Sequence, residues 1–133
     1  MFWAWDITVT AGTSEATPKT QILKLSKGVI TGLDVKFPSG CHGLVKVRLL
    51  RSEFQLVPLS GGEWVTGDGE TVRTEPYYEL EEAPAELKFV GCAPLTSYDH
   101  KVTVRVSVTP AEVATPWMML KDFVGIIKRL IGV

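Results

Sequence analysis

Residues 102–109 alternate strictly between apolar and polar side chains, and this period of two specifies a β-strand. Successive side chains of a strand point to opposite faces of a sheet, so the four valines of this segment share one face. The beginning of the chain follows the same rule, with Trp3, Trp5, Ile7 and Val9 on one face. Each strand therefore has one face to bury, which is typical of a two-layered β structure.

Segments of strand character recur along residues 1–109 and are separated by Gly, Pro and Ser. We expect about eight strands, at 3–10, 20–26, 29–37, 44–51, 53–59, 72–80, 86–91 and 101–109. Residues 60–71 form the longest predicted loop. Because no crossover helix separates the strands, we expect antiparallel pairing. The predicted fold is all-β, an antiparallel β-sandwich of the jelly-roll or Ig-like kind, followed by a C-terminal amphipathic α-helix.

The predicted helix covers residues 116–133, after a linker at 110–115 that separates it from the sandwich domain at 1–109. Thr115 can cap its first turn, and Pro116 suits its first helical position. Its apolar side chains fill an arc of roughly 200°, whereas an ordinary surface helix needs about 100°. The candidate assembly residues on this arc are Trp117, Met119, Leu120, Phe123, Val124, Ile126, Ile127, Leu130 and Ile131.

Several surfaces can cover this apolar arc: the sheet of the same domain, copies of the helix, a groove on a partner, or a membrane surface. Three cations and one anion on its polar side resemble a weak version of the basic amphipathic pattern, so a membrane surface stays open. A spanning helix is excluded because Lys121, Asp122, Lys128 and Arg129 interrupt the apolar run.

The charge balance argues against a nucleic-acid-binding protein. The chain has 14 basic and 15 acidic residues, a net charge of −1, whereas nucleic-acid binders carry a basic excess. The first residues lack a basic start and turn polar at Asp6, so we expect no signal peptide and synthesis in a host cytoplasm.

The signals for an enzyme or a metal site are poor. Cys41 and Cys92 are too few for a disulfide framework. A bridge between them is geometrically possible because each follows a glycine in a predicted loop, but we expect free, partly buried thiols. His42 and His100 are the only histidines, and their spacing to the cysteines does not match a metal motif. A triad would need His100, oriented by Tyr98 and Asp99, with Ser39 or Cys41 as the nucleophile, and no catalytic motif supports it. We therefore expect no enzyme activity, cofactor or metal.

Two aromatic groups have alternative interpretations. Trp3 and Trp5 can simply pack in the core, or they can mark an edge strand that pairs with a neighbouring subunit. Trp64, Tyr77 and Tyr78 lie near the long loop, where exposed rings can stack on sugars. Their alternative is core packing for one tyrosine and coverage of a turn for Trp64.

Five short segments resemble small β-sandwich proteins encoded by tailed bacteriophages and prophages. They are Thr-Val-Thr-Ala-Gly-Thr at 8–13, Leu-Ser-Lys-Gly-Val-Ile at 25–30, Phe-Pro-Ser-Gly-Cys-His-Gly-Leu-Val at 37–45, Tyr-Tyr-Glu-Leu at 77–80 and Tyr-Asp-His-Lys-Val-Thr-Val at 98–104. The resemblance covers residues 6–109 and implies a virion structural role, as a head, decoration or tail component. It brings no catalytic residues.

The sequence thus predicts a non-enzymatic virion structural protein that assembles through its C-terminal helix and its N-terminal strand. Its expected partners are copies of itself and other virion proteins, without nucleic acid. The alternative is a glycan- or cell-surface-binding module that uses the Trp64 loop.

Overall fold

The computed structural model describes residues 1–110, which form ten strands in two antiparallel sheets. The predicted helix 116–133, its nine assembly residues and the linker beyond Pro110 lie outside the described residues. The strands are β1 (Phe2–Val9), β2 (Lys19–Lys24), β3 (Gly28–Lys36), β4 (Lys46–Arg51), β5 (Phe54–Val57), β6 (Val65–Thr66), β7 (Thr71–Thr74), β8 (Tyr78–Leu80), β9 (Glu86–Cys92) and β10 (His100–Thr109).

The two sheets share one plan. The first sheet has the order β1-β10-β3, and β7 and β8 pair with different parts of the far side of β3. The second sheet has the order β2-β9-β4, and β5 and β6 divide the far side of β4 in the same way. Each sheet is therefore four positions wide, with a long strand at one edge position and two short strands at the other.

The core lies between the sheets and is built from the alternating apolar positions. In β10, Val102, Val104, Val106 and Val108 are all buried, while Lys101 is exposed. Leu33 and Val35 of β3 and Leu87 and Phe89 of β9 belong to the same cluster, together with Ile7, Val9, Leu23, Phe37, Val45, Val47 and Leu49. The predicted alternation of the last strand and the predicted two-sheet antiparallel architecture are confirmed.

Two details of the predicted strand pattern are wrong. The single strand expected at 72–80 is two strands, because Pro76 cannot donate a ladder hydrogen bond and Tyr77 has a φ of 47°. The long loop expected at 60–71 contains the two-residue strand β6, which is too short to leave a period in the sequence. No helix among residues 1–110 is long and apolar enough to cross a membrane.

Candidate functional site

Strand β1 forms one edge of the first sheet, and within residues 1–110 it pairs only with β10. The register is uninterrupted from Phe2 opposite Ser107 to Val9 opposite His100. The prediction that this strand lies in a sheet with Trp3, Trp5, Ile7 and Val9 on the core side fits this arrangement. Ile7 and Val9 are buried, and Trp3 and Trp5 are half-buried against the core.

The hydrogen bonds at the start of β1 show which of its backbone N–H and C=O groups point away from β10, in the plane of the sheet, toward the open edge. The Met1 amino group donates to the Val108 carbonyl at 2.7 Å, and the Val108 N–H donates to the Met1 carbonyl at 2.8 Å. Met1 and Val108 are thus a hydrogen-bonded pair, and such pairs alternate along an antiparallel ladder. The odd-numbered residues of β1 therefore bond to β10, and the backbone groups of Phe2, Ala4, Asp6 and Thr8 point outward.

The outward backbone groups belong to exposed residues. Phe2, Ala4, Asp6 and Thr8 are all exposed, and 64% of the Phe2 surface is accessible. Asp6 is the only charged residue of the strand, which contains neither Gly nor Pro. Edge strands are usually protected by lysine, proline, bulges or short length, and β1 has none of these features.

The other edge strands are better protected. Strand β2 has six residues and carries Lys19 and Lys24 at its two ends. Strands β5, β6, β7 and β8 have four, two, four and three residues. Among the described residues, β1 is therefore the one long edge that offers an unprotected row of donors and acceptors.

A row of charged side chains crosses the outer face of the first sheet beside β1. Ala4 lies opposite Arg105, which lies opposite Asp34, which in turn lies opposite Arg73. Arg73 Nε donates to Asp34 Oδ1 at 3.1 Å, so these two charges are paired. Arg105 makes no ion pair within the described part of the chain.

Asp6 lies in the neighbouring row of the same face. Its Oδ1 atom accepts a hydrogen bond from Thr103 Oγ1 at 2.7 Å. Neither Asp6 nor Arg105 is among the site residues predicted from the sequence. The alternating pattern predicts that both residues lie on the polar face of their strands. Their position beside an open edge, however, depends on which strands pair.

The three aromatic residues of the predicted ligand loop have different surroundings. The Arg48 guanidinium lies 4.2 Å from the centroid of the Trp64 ring, a cation–π contact. Tyr78 stacks on Phe54 with ring centroids 6.0 Å apart, and it is half-buried against the core. Tyr77 is 49% exposed. Two of the three rings therefore already have a protein group on a face.

The residues that a catalytic triad would need, together with His42, line one cleft of about 630 Å³. Ser39, Cys41, His42, Tyr98, Asp99 and His100 all border it. Among residues 1–110, however, no hydrogen bond joins Ser39 or Cys41 to a histidine, and Asp99 Oδ1 instead accepts from the Ala11 N–H at 2.8 Å. Burial raises the pKa of the Cys41 thiol, and the charge of Asp68 raises it further, so the reactive thiolate is disfavoured.

Asp68 organises the rim of this cleft. Its Oδ1 atom accepts from the Gly40 N–H at 2.8 Å, and its Oδ2 atom lies 3.8 Å from His42 Nδ1. The Gly40 hydrogen bond is the main reason that the pKa of Asp68 lies below its ordinary value, with the His42 N–H and charge and the Cys41 N–H adding to it. The Asp68 carboxylate therefore acts as a staple between two loops.

Both cysteines are free and buried. Cys41 belongs to the core cluster, whereas strand alternation after Leu87 and Phe89 puts Cys92 on the opposite face of the second sheet. Burial raises the pKa of the Cys92 thiol, and the charge of Glu15 adds to the effect. The described residues contain no cluster of three or more His, Cys, Asp or Glu side chains that could hold a metal ion.

Among the comparisons with known proteins, the one with solved structures alone finds a match. The sequence matches no known protein family, and no curated protein matches it. Among solved structures, one described as the crystal structure of FLHE is 21% identical, with a TM-score of 0.36. The match covers 79% of this chain and 93% of that chain.

Proposed function

We propose that this chain is a non-enzymatic structural protein that assembles by strand pairing along β1. The observation that carries the proposal is the outward row of backbone groups at Phe2, Ala4, Asp6 and Thr8, on a long edge without the usual protection. Adding a strand to such an edge satisfies main-chain donors and acceptors, and side chains on alternate positions supply specificity.

The side chains of β1 support the same role. Trp3 and Trp5 lie on the core side but stay half-exposed, because no neighbouring strand covers them within residues 1–110. A strand paired to β1 would complete their burial. Tryptophan is among the residues that most often dominate the binding energy of protein interfaces.

The proposed setting is a phage-like particle, in which the chain is a head, decoration or tail component. The support for this setting is the resemblance of residues 6–109 to phage and prophage β-sandwich proteins. The partners are copies of the chain and other proteins of the particle. The apolar segment 116–133 is proposed as a second assembly element.

The alternative glycan-binding function has less support. A sugar-binding platform needs free aromatic faces, and Arg48 already covers one face of Trp64 while Phe54 stacks on Tyr78. An enzymatic function also has less support, since the Cys41 thiol is buried and has a raised pKa.

Ala4→Pro in the full-length chain tests the proposed assembly. Proline removes the outward N–H of residue 4 but leaves the bonds of Trp3 and Trp5 to β10 in place. We expect the wild-type chain to form a defined oligomer in light scattering coupled to size exclusion, and the variant to form a smaller species.

Ala4→Ser is the matched control, because it changes the same side chain but keeps the backbone N–H and a small side chain. We expect it to retain the wild-type mass. Equal masses for wild type and Ala4→Pro, with both chains folded by circular dichroism, would overturn the assembly role of β1.

A further inference from the structure

The open edge of β1 is complementary to itself in one particular register. Only Phe2, Ala4, Asp6 and Thr8 present outward backbone groups, so a second β1 strand must pair these residues with one another. An antiparallel twofold arrangement that places Phe2 opposite Thr8 and Ala4 opposite Asp6 uses all four outward residues of each copy. Neighbouring registers leave an outward residue without a partner.

The single charge of the strand selects among these registers. A shift that brings Asp6 opposite Asp6 of the second copy sets like charges against each other, which destabilises a strand pair. In the fully paired register Asp6 instead faces the small side chain of Ala4 of the second copy.

The row beyond Ala4 then supplies the opposite charge. Ala4 lies opposite Arg105 in the same copy, so Asp6 and Arg105 of the second copy would lie two strands apart, roughly 10 Å between Cα atoms. An extended arginine can reach a carboxylate over that span, since only a methyl group lies between them. Arg105 makes no ion pair within residues 1–110, and twofold symmetry forms the contact twice.

The core side of the strand agrees with this register. The twofold axis passes beside Trp5, which faces Trp5 of the second copy, while Trp3 faces Ile7 of the second copy. Residue 5 is in a non-hydrogen-bonded pair at the new junction, where side chains approach more closely. The exposed part of Trp5 would thus be covered by Trp5 of the second copy, and that of Trp3 by the neighbouring strand at Ile7.

We infer that two copies of this chain pair antiparallel along β1 about an axis at Trp5, with reciprocal Asp6–Arg105 ion pairs on the outer face. The inference rests on the proposed function and specifies its partner as a second copy. The first sheets of the two copies then form one continuous sheet, eight strand positions wide.

Charge reversal in the full-length chain tests this arrangement. Asp6→Arg places a cation within reach of Arg105 of the second copy, and Arg105→Asp places an anion within reach of Asp6 of the second copy. Each variant alone should dimerise more weakly, on the order of tenfold or more in Kd, because two attractive pairs become repulsive. An equimolar mixture should form dimers again, since each reversed residue then meets its opposite charge.

Rescue by mixing is informative because a misfolded variant cannot be rescued in this way. Ala4→Pro mixed with either variant should stay dissociated. If Ala4→Pro dissociates the assembly but mixing the charge variants rescues nothing, the register is wrong while β1 pairing stands. If Ala4→Pro has no effect, or the wild type is monomeric, both proposals fail.

Cysteine cross-linking reads the register directly. In the proposed arrangement, an Ala4→Cys chain and an Asp6→Cys chain place two thiols in a hydrogen-bonded pair about 5.5 Å apart between Cα atoms, which suits a disulfide. Oxidation of the mixture should yield covalent dimers, and either variant alone should not. The native Cys41 and Cys92 are fully buried and do not compete. Absence of cross-links in the mixture would overturn the register.

Discussion

Asp68 shows how one exposed carboxylate can order a loop through backbone hydrogen bonds. Its oxygens accept from the Gly40 N–H and lie near His42, while the Gly69 N–H donates back to the Pro38 carbonyl at 3.2 Å. The two loops at 38–44 and 67–70 are thus tied together in both directions. The staple favours the ionised carboxylate, which is why the pKa of Asp68 is lowered.

This lowered pKa predicts a specific dependence of stability on pH. Because the folded pKa lies below the unfolded value, Asp68 contributes stability above its ordinary pKa of about 3.9, and the contribution is lost as the pH falls through the folded pKa. Asp68→Asn should therefore flatten the acid side of a plot of unfolding free energy against pH. Glu63→Gln, another exposed acid in the same loop region, is the control. If the unfolding free energies of wild type and Asp68→Asn fall equally at acid pH, the hydrogen bonds of the Asp68 carboxylate do not stabilise the fold as proposed.

Gly67 is required for a different reason, the lack of space for a side chain. A Cβ atom at this position would lie 2.7 Å from Phe37 Cδ2, and Phe37 is fully buried. Gly67→Ala should lower the unfolding free energy by about 1–3 kcal/mol, the usual cost of overpacking. Gly61→Ala, where nothing lies within 4 Å, should change it by no more than about 0.5 kcal/mol. Chemical denaturation measures both values, and equal effects would contradict the packing argument.

At the level of the element, β1 has two sets of amides with different partners. The Trp3, Trp5 and Ile7 amides bond to β10, so they should exchange slowly with solvent at any protein concentration. The Ala4, Asp6 and Thr8 amides should exchange rapidly in dilute protein and slow down as the concentration rises. Amide exchange followed by NMR gives both rates. Protection of the second set at all concentrations would mean that another part of the same chain covers the edge.

The sequence predicted the elements whose pattern is local. The valines of β10 and the core face of β1 follow from alternation alone, since a period of two needs no knowledge of the neighbouring strands. The break within 72–80 was missed because the alternation continues across Pro76 and Tyr77 while the backbone turns. The sequence could not predict whether the odd- or the even-numbered residues of β1 direct their backbone groups to the open edge, because the same side-chain pattern fits either choice. Only the Met1–Val108 pair fixes it.

At the level of the whole molecule, the two thiols report on global unfolding. Cys41 and Cys92 are both fully buried, and burial raises both pKa values, so neither offers an accessible thiolate in the folded state. We expect almost no reaction with a thiol reagent under native conditions and reaction of both thiols in denaturant. The denaturant dependence of the reaction should match that of tryptophan fluorescence. Rapid labelling of one cysteine in native protein would show that its surroundings open locally.

The unequal edges of the two sheets limit how many copies of the chain can join by strand pairing. The far side of each sheet is divided between two short strands, and β2 carries lysine at both ends, so β1 is the only long bare edge in residues 1–110. A molecule with one such edge has a valence of one along the direction of sheet extension. Pairing two copies along β1 uses up that valence, and the combined sheet ends on both sides in interrupted strands. The proposed pairing along β1 would therefore give a closed dimer in place of an open-ended fibril.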